Sequence, residues 1–341
     1  SAKVQSGDPI LPSNSMGISV KGSALIENNN IVSTSTGINL VDEGTVTINN
    51  NVINVVANND TIANYAISAS EIDSLNITGN EITFVGKSNG DAISRALSIS
   101  YVDGVIVSKN TFDITIPSCG YSYVIYDNPA KGIVFSYSEG VIFDDNVVDL
   151  KYDGVIGDWD TINVIEIGYS SDNAVISNNL ISAVGGSYVY GIKVYGKNFN
   201  ISENTLTVTS ELKYANGVNP DGGATGLVKD NTIVAIGVES SYPIYSGMYG
   251  SMGNLDVDYI GNQIYGKAYY VVAVELGGAN ENVINNTIIA EGNYTIGIGS
   301  DSENNTISGN IIKSLGTSIG NQAVWDNLGL VTTGVKILKA I

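Results

Sequence analysis

One short motif recurs along the whole sequence: an apolar residue, two residues that are mostly polar or small, an asparagine, any residue, and a second apolar residue. The motif occurs eleven times, and its mean period is about 28 residues. Its asparagines are Asn29, Asn51, Asn80, Asn110, Asn146, Asn179, Asn204, Asn231, Asn262, Asn286 and Asn310. Such a period is typical of a solenoid, in which each repeat must stack on its neighbours to bury its apolar face.

Each repeat predicts three short strands and no helix. A first alternation of apolar and small residues precedes each asparagine, a second leads into it, and a third follows it. Clear first strands are GISV at Gly17, GINL at Gly37, AISA at Ala66, ALSI at Ala96, GIVF at Gly132, VIEI at Val164 and GIKV at Gly191, and weaker ones follow at Val218, Met248, Val274 and Ile298.

Stacking such repeats pairs equivalent strands in parallel, and parallel connections favour a right-handed winding. The sequence therefore predicts an all-β fold, a right-handed parallel β-helix of about 11–12 coils. The motif asparagines then fall at one corner of every coil and form an internal ladder of hydrogen-bonded amides. We expect one domain over residues 1–341, with repeats over about 17–313 and a last loop and further coil or cap over 314–341.

Charge and cysteine content narrow the possible partners. The formal net charge is −19 and the few basic residues are scattered, which argues against binding to nucleic acid or to an anionic membrane. No apolar run is long enough for a membrane span, so no membrane insertion is expected in this fragment. The only cysteine is Cys119, which excludes an intramolecular disulfide. An export signal, an anchor and further repeats are expected to lie outside the fragment.

Repeat length varies mainly between the motif asparagine and the next first strand, which predicts insertions on one side of the rod. In repeat proteins that side is often the binding face. The longest insertions begin at Thr111, Val147 and Thr232, and they contain Tyr121, Tyr123, Tyr126, Tyr152, Trp159, Tyr242 and Tyr245. Tyrosine and tryptophan at a surface suit polar ligands with apolar faces, such as sugars.

A second set of candidate residues follows the first strands. Tyr101, Tyr137, Tyr169 and Tyr195 occur in consecutive repeats, as do Asp73, Asp103, Glu139 and Asp172, with Lys197 next. Three interpretations stay open. The acids and rings cap turns and stiffen the solenoid; or Tyr101, Tyr137, Tyr169 and Tyr195 bind a glycan with Asp103, Glu139 and Asp172; or those three acids bind calcium.

Other acidic residues are less specific. Glu166 and Glu275 lie between aliphatic residues and should face outward, and Glu166 is expected to form a weak surface pair with Lys193 one coil later. Asp153, Asp158 and Asp160 surround Trp159 in a loop that is either solvated or a cation or sugar site.

Catalysis is restricted by the absence of histidine, which removes histidine-dependent nucleophiles and histidine-ligated metals. Two carboxylates are enough for a glycosidase, and Glu139 or Glu166 with Asp172 could supply such a pair.

The coil pattern G-I-x-V…N-x-I-x-x-N-x-I resembles the parallel β-helix repeats of the pectate-lyase-like superfamily over nearly the whole chain. The lyases of that superfamily use an arginine base with calcium-binding acids, whereas this chain has only Arg95, with no acid cluster beside it in sequence; the polygalacturonase acid and histidine signature is absent. In its acidic composition, rich in Asn, Tyr and Ile, the chain also resembles the adhesin-like surface proteins of methanogenic archaea. That resemblance implies an extracellular location, at the cell surface or cell wall, and adhesion to a polysaccharide, cell-surface glycan or protein.

The sequence thus favours a non-catalytic adhesin that presents rows of side chains to a repetitive ligand. The alternative is a carbohydrate-active enzyme, a polysaccharide lyase or glycoside hydrolase, that uses carboxylates on the tyrosine-rich side. No cofactor is expected except calcium.

Overall fold

The computed structural model describes residues 15–58, 63–86, 93–117, 130–153, 161–246, 255–300, 302–326 and 331–337. Within these residues all regular structure is β-strand, wound as a right-handed parallel β-helix, which confirms the predicted fold class. None of them forms a helix with the length and apolar character that crossing a lipid bilayer requires.

The strands fall into three sets according to their place in the coil. First strands are β1 (Met16–Lys21), β4 (Thr36–Val41), β7 (Asn64–Ser70), β10 (Ser94–Ser100), β13 (Ala130–Ser136), β16 (Thr161–Ile167), β19 (Tyr188–Val194), β22 (Tyr214–Pro220), β25 (Ser240–Ser246) and β32 (Gln322–Asp326). Second strands are β2 (Ala24–Glu27), β5 (Thr45–Asn49), β8 (Ser74–Thr78), β11 (Val105–Ser108), β14 (Ile142–Asp144), β17 (Val175–Ser177), β20 (Phe199–Ser202), β23 (Thr225–Lys229), β26 (Asp256–Ile260), β28 (Asn282–Ile284), β30 (Thr306–Ser308) and β33 (Val331–Thr333). Third strands are β3 (Asn30–Ser33), β6 (Val52–Val56), β9 (Glu81–Val85), β12 (Thr111–Pro117), β15 (Val147–Asp153), β18 (Leu180–Val184), β21 (Thr205–Thr209), β24 (Thr232–Ile236), β31 (Ile311–Gly316) and β34 (Lys336–Ile337).

Two long strands, β27 (Gln263–Leu276) and β29 (Thr287–Ser300), serve as third and first strand without a break. They join the first and third strands into one 22-stranded sheet, whereas the second strands form a separate 12-stranded sheet. Each strand pairs in parallel with its equivalents in the coils before and after it.

Stacked aliphatic residues fill the interior of the helix. Because the strands pair in register, one first-strand position forms a column of buried residues: Ile38, Ile67, Leu97, Ile133, Ile165, Ile192, Val218, Ile244, Val274 and Ile298. Burying a full aliphatic side chain contributes about 1.5–3 kcal/mol, so each added coil extends one continuous core.

The residue before this column is small for a steric reason. A Cβ added to Gly37 would lie 2.6 Å from the carbonyl oxygen of Ala66, and one added to Gly191 would lie 2.6 Å from that of Gly217. Two consecutive residues therefore face the core, as Ala66 and Ile67 do. The residues on either side of this inward pair consequently point away from the core.

The motif asparagines form the internal ladder. The backbone N–H and the side-chain Nδ2 of each one donate to Oδ1 of the next, at 2.8–3.0 Å and 2.9–3.1 Å respectively. Nδ2 also donates to a backbone carbonyl of the preceding coil, such as Ile77 O for Asn110. The ladder thus satisfies polar groups at a buried corner that water cannot reach.

Two predictions about the third quarter of the chain are wrong. The first strand expected at Met248 is β25, which ends before Met248, and the supposed insertion from Thr232 is largely strands β24 and β25. Pro243 hides the alternation in the sequence, yet Ile244 occupies the buried aliphatic column. Tyr152, expected in an exposed insertion, lies in β15 and belongs to the core.

Candidate functional site

The tyrosines after the first strands are stacked in two pairs. The rings of Tyr101 and Tyr137 are nearly parallel, with 4.9 Å between their centroids, and the ring centroids of Tyr169 and Tyr195 are 4.5 Å apart. Tyr101, Tyr137 and Tyr169 are exposed, whereas Tyr195 is partly buried.

A change of register separates the two pairs. Tyr101 N–H donates to Ser136 O, the residue before Tyr137, whereas Tyr137 N–H donates to Tyr169 O. Ser170 therefore lies opposite Tyr137, and both have positive φ, 55° and 52°. One extra residue after β16 shifts Tyr169 out of the predicted row of four.

The acids predicted beside these tyrosines bond to the next coil. Asp103 accepts a hydrogen bond from Glu139 N, Asp172 accepts one from Lys197 N, and Glu139 accepts one from Asn173 Nδ2. Asp103 and Asp172 thus cap backbone N–H groups of the next coil, whereas Glu139 bonds to a side chain there. Within the described residues no three acids or cysteines gather as a metal site would require, and calcium binding by Asp103, Glu139 and Asp172 stays a prediction.

Asp73 and Tyr101 line a shallow depression of about 320 Å³. Its other lining residues are Glu43, Glu71, Ile72 and Asp103. The free face of the Tyr101–Tyr137 stack thus borders a strongly acidic surface. The remaining aromatic candidates, Tyr121, Tyr123, Tyr126 and Trp159, lie outside the described residues, as do Asp158 and Asp160.

A second polar surface lies on the outer side of the first strands, and the sequence prediction largely missed it. We call it the polar face and define it as the outward side chains of β10, β13, β16, β19, β22 and β25, together with Tyr195 and Asp221. One column runs Arg95, Lys131, Asn163, Tyr190, Asn216 and Tyr242. A second column runs Ser98, Val134, Glu166, Lys193, Asn219 and Tyr245.

Glu166 lies at the centre of the polar face. Its Oε1 is 2.8 Å from Lys131 Nζ, and its Oε2 accepts a 2.7 Å hydrogen bond from Asn163 Nδ2. Glu166 is only 7 % exposed, so the expected weak surface pair with Lys193 is wrong. Lys131 is the partner because it lies in the adjoining coil at the start of the strand, from where its long side chain reaches the carboxylate. Charges buried in this way carry a desolvation cost that only good pairing offsets.

Arg95, the only arginine of the chain, stands on the same face, one coil before Lys131. Its Nη1 donates to Ser98 Oγ at 3.2 Å. Burial lowers the pKa of Arg95, while Tyr65 and Glu166 act in the opposite direction. No acid is adjacent to Arg95 in sequence, but the winding of the chain brings Glu166 into its field.

Lys193 joins the charged residues to the tyrosines. Its Nζ is 3.6 Å from Asp221 Oδ2 and 5.1 Å from the ring centroids of both Tyr190 and Tyr195. Burial raises the pKa of Tyr195, and the negative charges of Asp221 and Glu166 raise it further. The Tyr195 hydroxyl therefore remains protonated at any physiological pH and can donate a hydrogen bond.

We call Arg95, Lys131, Glu166, Lys193 and Asp221 the charged centre. It contains three cations and two carboxylates, so one positive charge is left over on a chain whose net charge is −19. Two amide oxygens beside it also lack hydrogen-bond partners among the described residues, Oδ1 of Asn163 and Oδ1 of Asn216, and both residues are buried. The excess cation and the unpaired acceptors make the charged centre the candidate binding site.

Beyond the charged centre, towards the C-terminal coils, the polar face becomes aromatic. We call Tyr188, Tyr214, Tyr242 and Tyr245 the tyrosine cluster. Ring centroids are 4.8 Å apart for Tyr188–Tyr214, 6.4 Å for Tyr214–Tyr242 and 5.2 Å for Tyr242–Tyr245. All four rings are partly exposed. Lys213 Nζ lies 5.9 Å above the Tyr188 ring.

The sequence did contain signals for this face. The chain's single arginine, Lys131 and Lys193 occupy outward first-strand positions, where most coils carry small or uncharged residues. The acids that pair with the two lysines lie 28 or more residues away along the chain, for example 35 residues between Lys131 and Glu166. Only the stacking register shows which of these side chains meet.

The sequence matches no family model, and no curated protein matches it. Among solved structures, it is similar to a double mutant of a periplasmic alginate epimerase, with a TM-score of 0.50 and 13% identity over 91% of this chain and 78% of that one. Other similar structures are the unmutated periplasmic alginate epimerase (TM-score 0.46, 12% identity, 97% and 79% covered) and the A-module of an Azotobacter vinelandii mannuronan C-5 epimerase (TM-score 0.42, 17% identity, 96% and 90% covered). At these identities the likeness shows the β-helix fold alone.

Proposed function

We propose that this chain is a carbohydrate-active enzyme that binds an acidic polysaccharide along the polar face and transfers a proton beside a uronate carboxylate. The charged centre is the observation that carries the proposal. A group of five charges with an excess cation, in which both carboxylates are buried, is a poor way to stabilise a fold, because apolar residues of similar size often do better. Such groups are typical of sites where charge is recognised or moved.

The residues have distinct roles in this proposal. Arg95 and Lys131 bind the uronate carboxylate, since arginine and lysine donate charge-assisted hydrogen bonds to carboxylates. Neutralising that carboxylate makes the proton on the adjacent carbon easier to remove, because negative charge develops there in the transition state. Glu166, fixed by Lys131 and Asn163, accepts the proton. The hydroxyl of Tyr195, which lies beside Lys193 on the same face, returns a proton or supplies one to the leaving oxygen.

A glycosidase mechanism is less consistent with the geometry. It needs one carboxyl group that holds a proton as general acid. The two carboxylates of the charged centre each lie beside a lysine, Glu166 beside Lys131 and Asp221 beside Lys193. Each carboxylate is thus engaged in an ion pair and is not available to the glycosidic oxygen as that role requires.

The structural likeness supports a polysaccharide as partner. Alginate, the substrate that the similar epimerase is named for, is an acidic polysaccharide, and that enzyme is periplasmic. By the same analogy we place this chain outside the cytoplasm, either secreted or at the cell surface.

Adhesion is a second candidate, and the exposed Tyr101–Tyr137 pair favours it. Both rings are about half exposed beside acceptor-rich turns, an arrangement that could hold a cell-surface glycan without chemistry. In that case the acids Asp103 and Glu139 would accept hydrogen bonds from sugar hydroxyl groups. This second function needs no contribution from the charged centre.

The two candidates are separated by a product assay. The protein is incubated with alginate, polygalacturonate, hyaluronan and neutral xylan, and each mixture is assayed for unsaturated products, new reducing ends and inverted sugar configuration. The enzyme proposal expects products from an acidic polymer with the wild type and with the matched control Glu139→Gln, and at least a hundredfold less with Glu166→Gln. Binding without products, lost on Tyr101→Ala and kept on Glu166→Gln, would favour adhesion.

A further inference from the structure

The distribution of charge along the polar face restricts which acidic polysaccharide fits. We infer that the polar face takes one uronate residue at the charged centre and uncharged sugar residues over the tyrosine cluster, so that the substrate is a heteropolysaccharide in which neutral sugars separate the uronates. This inference rests on the proposed function and narrows its substrate class.

The charge balance of the charged centre fits one uronate carboxylate. Arg95, Lys131 and Lys193 stand against Glu166 and Asp221, which leaves one positive charge. A single uronate carboxylate neutralises it. A second uronate in the same place would add an unpaired negative charge to a partly buried surface, and such a charge is costly.

The surface next to the charged centre also disfavours a homopolymer of uronates. Among the outward first-strand positions that the structure describes from Tyr214 to Trp325, none is lysine or arginine. Their charged residue is Glu275, opposite Tyr245 in the next coil. Lys213 lies in the turn before Tyr214, and its Nζ is over the Tyr188 ring. The tyrosine cluster therefore has one cation, Lys213, at its Tyr188 end. The described first-strand positions around Tyr242 and Tyr245 offer no cation to the carboxylates that a homopolymer of uronates would place there.

The tyrosine cluster suits uncharged sugars. Partly exposed rings offer apolar faces and hydroxyl groups, which match the C–H faces and hydroxyl groups of a pyranose. Asn216 Oδ1 is an unpaired acceptor between Tyr190 and Tyr242. At about 4.8 Å per coil, the three coil steps from Glu166 to Tyr242 span roughly 14 Å, which is room for a short oligosaccharide.

The test compares polymers that differ in uronate spacing. In polygalacturonate and alginate every residue is a uronate, whereas in hyaluronan and unsulfated chondroitin uronates alternate with uncharged sugars. We expect at least tenfold higher kcat/KM on an alternating polymer. Tyr242→Ala should raise KM for that polymer about tenfold with little change in kcat, because it removes a contact made equally in ground and transition states. Tyr265→Ala, in the third-strand part of β27 and away from the polar face, is the matched control.

A gain-of-function variant tests the same idea by adding a cation to the tyrosine cluster. Tyr245→Lys places a cation in the column of Lys193 and should improve kcat/KM on a homopolymer relative to an alternating polymer by about tenfold, with circular dichroism confirming the fold. Equal or better wild-type activity on homopolymers, or an unchanged KM in Tyr242→Ala, overturns the inference while leaving the proposed function standing. If no acidic polymer is processed at all, both are overturned.

Discussion

Replacing Asn146 by alanine should lower the free energy of unfolding far more than the same change at the end of the asparagine ladder. Asn146 is 1 % exposed and its side chain takes part in five hydrogen bonds. Oδ1 accepts from the backbone N–H and from Nδ2 of Asn110, and Nδ2 donates to Val107 O, Asp144 O and Asn179 Oδ1. Alanine removes all five and leaves the buried Asn110 N–H without that acceptor.

The magnitude follows from these partners. A buried N–H without a partner costs about 1–3 kcal/mol, and the other lost bonds add about 0.5–1.5 kcal/mol each where the partner keeps no alternative. Asn179 Oδ1 still accepts from the Asn146 backbone, and Asn110 Nδ2 still donates to two carbonyl groups. We therefore expect a loss of about 3–5 kcal/mol in the free energy of unfolding.

Asn29→Ala is the matched control because Asn29 is the first rung. Its side chain donates to Glu27 O and Asn51 Oδ1, and no earlier motif asparagine donates to it. Its loss should cost about 1 kcal/mol. Urea unfolding followed by circular dichroism measures both variants, with an unchanged m-value as the check on comparable transitions. If the two variants differ by less than about 1 kcal/mol, the ladder does not stabilise the solenoid as described.

Three further predictions concern packing and charge. Gly217→Ala should cost about 1–3 kcal/mol in thermal or urea unfolding, because the new Cβ would lie 2.4 Å from Pro243 O, whereas Gly320→Ala, with open space around it, should be neutral. Lys131→Met and Glu166→Leu should each destabilise the fold by about 3 kcal/mol and their combination by less than the sum, since only the single variants leave a buried charge unpaired; additive losses in the same unfolding assay would rule out the pair. Burial raises the pKa of Tyr195 and Tyr242, so the unfolded chain loses these protons at a lower pH than the folded protein does. The free energy of unfolding should therefore fall above about pH 10, by at most about 1.4 kcal/mol per pH unit for each tyrosine. Unfolding measured against pH should show a smaller slope in Tyr195→Phe.

The solenoid could be predicted because its signals are local and repeated. Each motif asparagine has an apolar residue two positions later, so the period, the strand order and the buried corner all follow from the sequence. The exceptions have local causes. Pro243 hides the alternation of β25, and one extra residue after β16 moves Tyr169 out of line with Tyr137.

The candidate site could not be predicted in the same way, because it depends on which outward residues meet across coils of unequal length. Lys193 and Glu166 are equivalent positions in adjacent coils, yet Glu166 pairs with Lys131 and Lys193 pairs with Asp221. Which residues pair depends on how far the side chains at the start and end of a strand extend towards the neighbouring coil. Arg95 carried the clearest signal, as the one arginine in an acidic chain.

The most direct test of the proposed chemistry is proton exchange at the uronate carbon next to the carboxylate. Wild type, Glu166→Gln and Glu139→Gln are incubated with hyaluronan or alginate in deuterated water, and loss of the C5 proton signal is followed by nuclear magnetic resonance. We expect exchange with wild type and Glu139→Gln on at least one polymer, and a rate at least a hundredfold lower with Glu166→Gln. No exchange with either polymer, or the same rate in Glu166→Gln, would contradict the proposed chemistry.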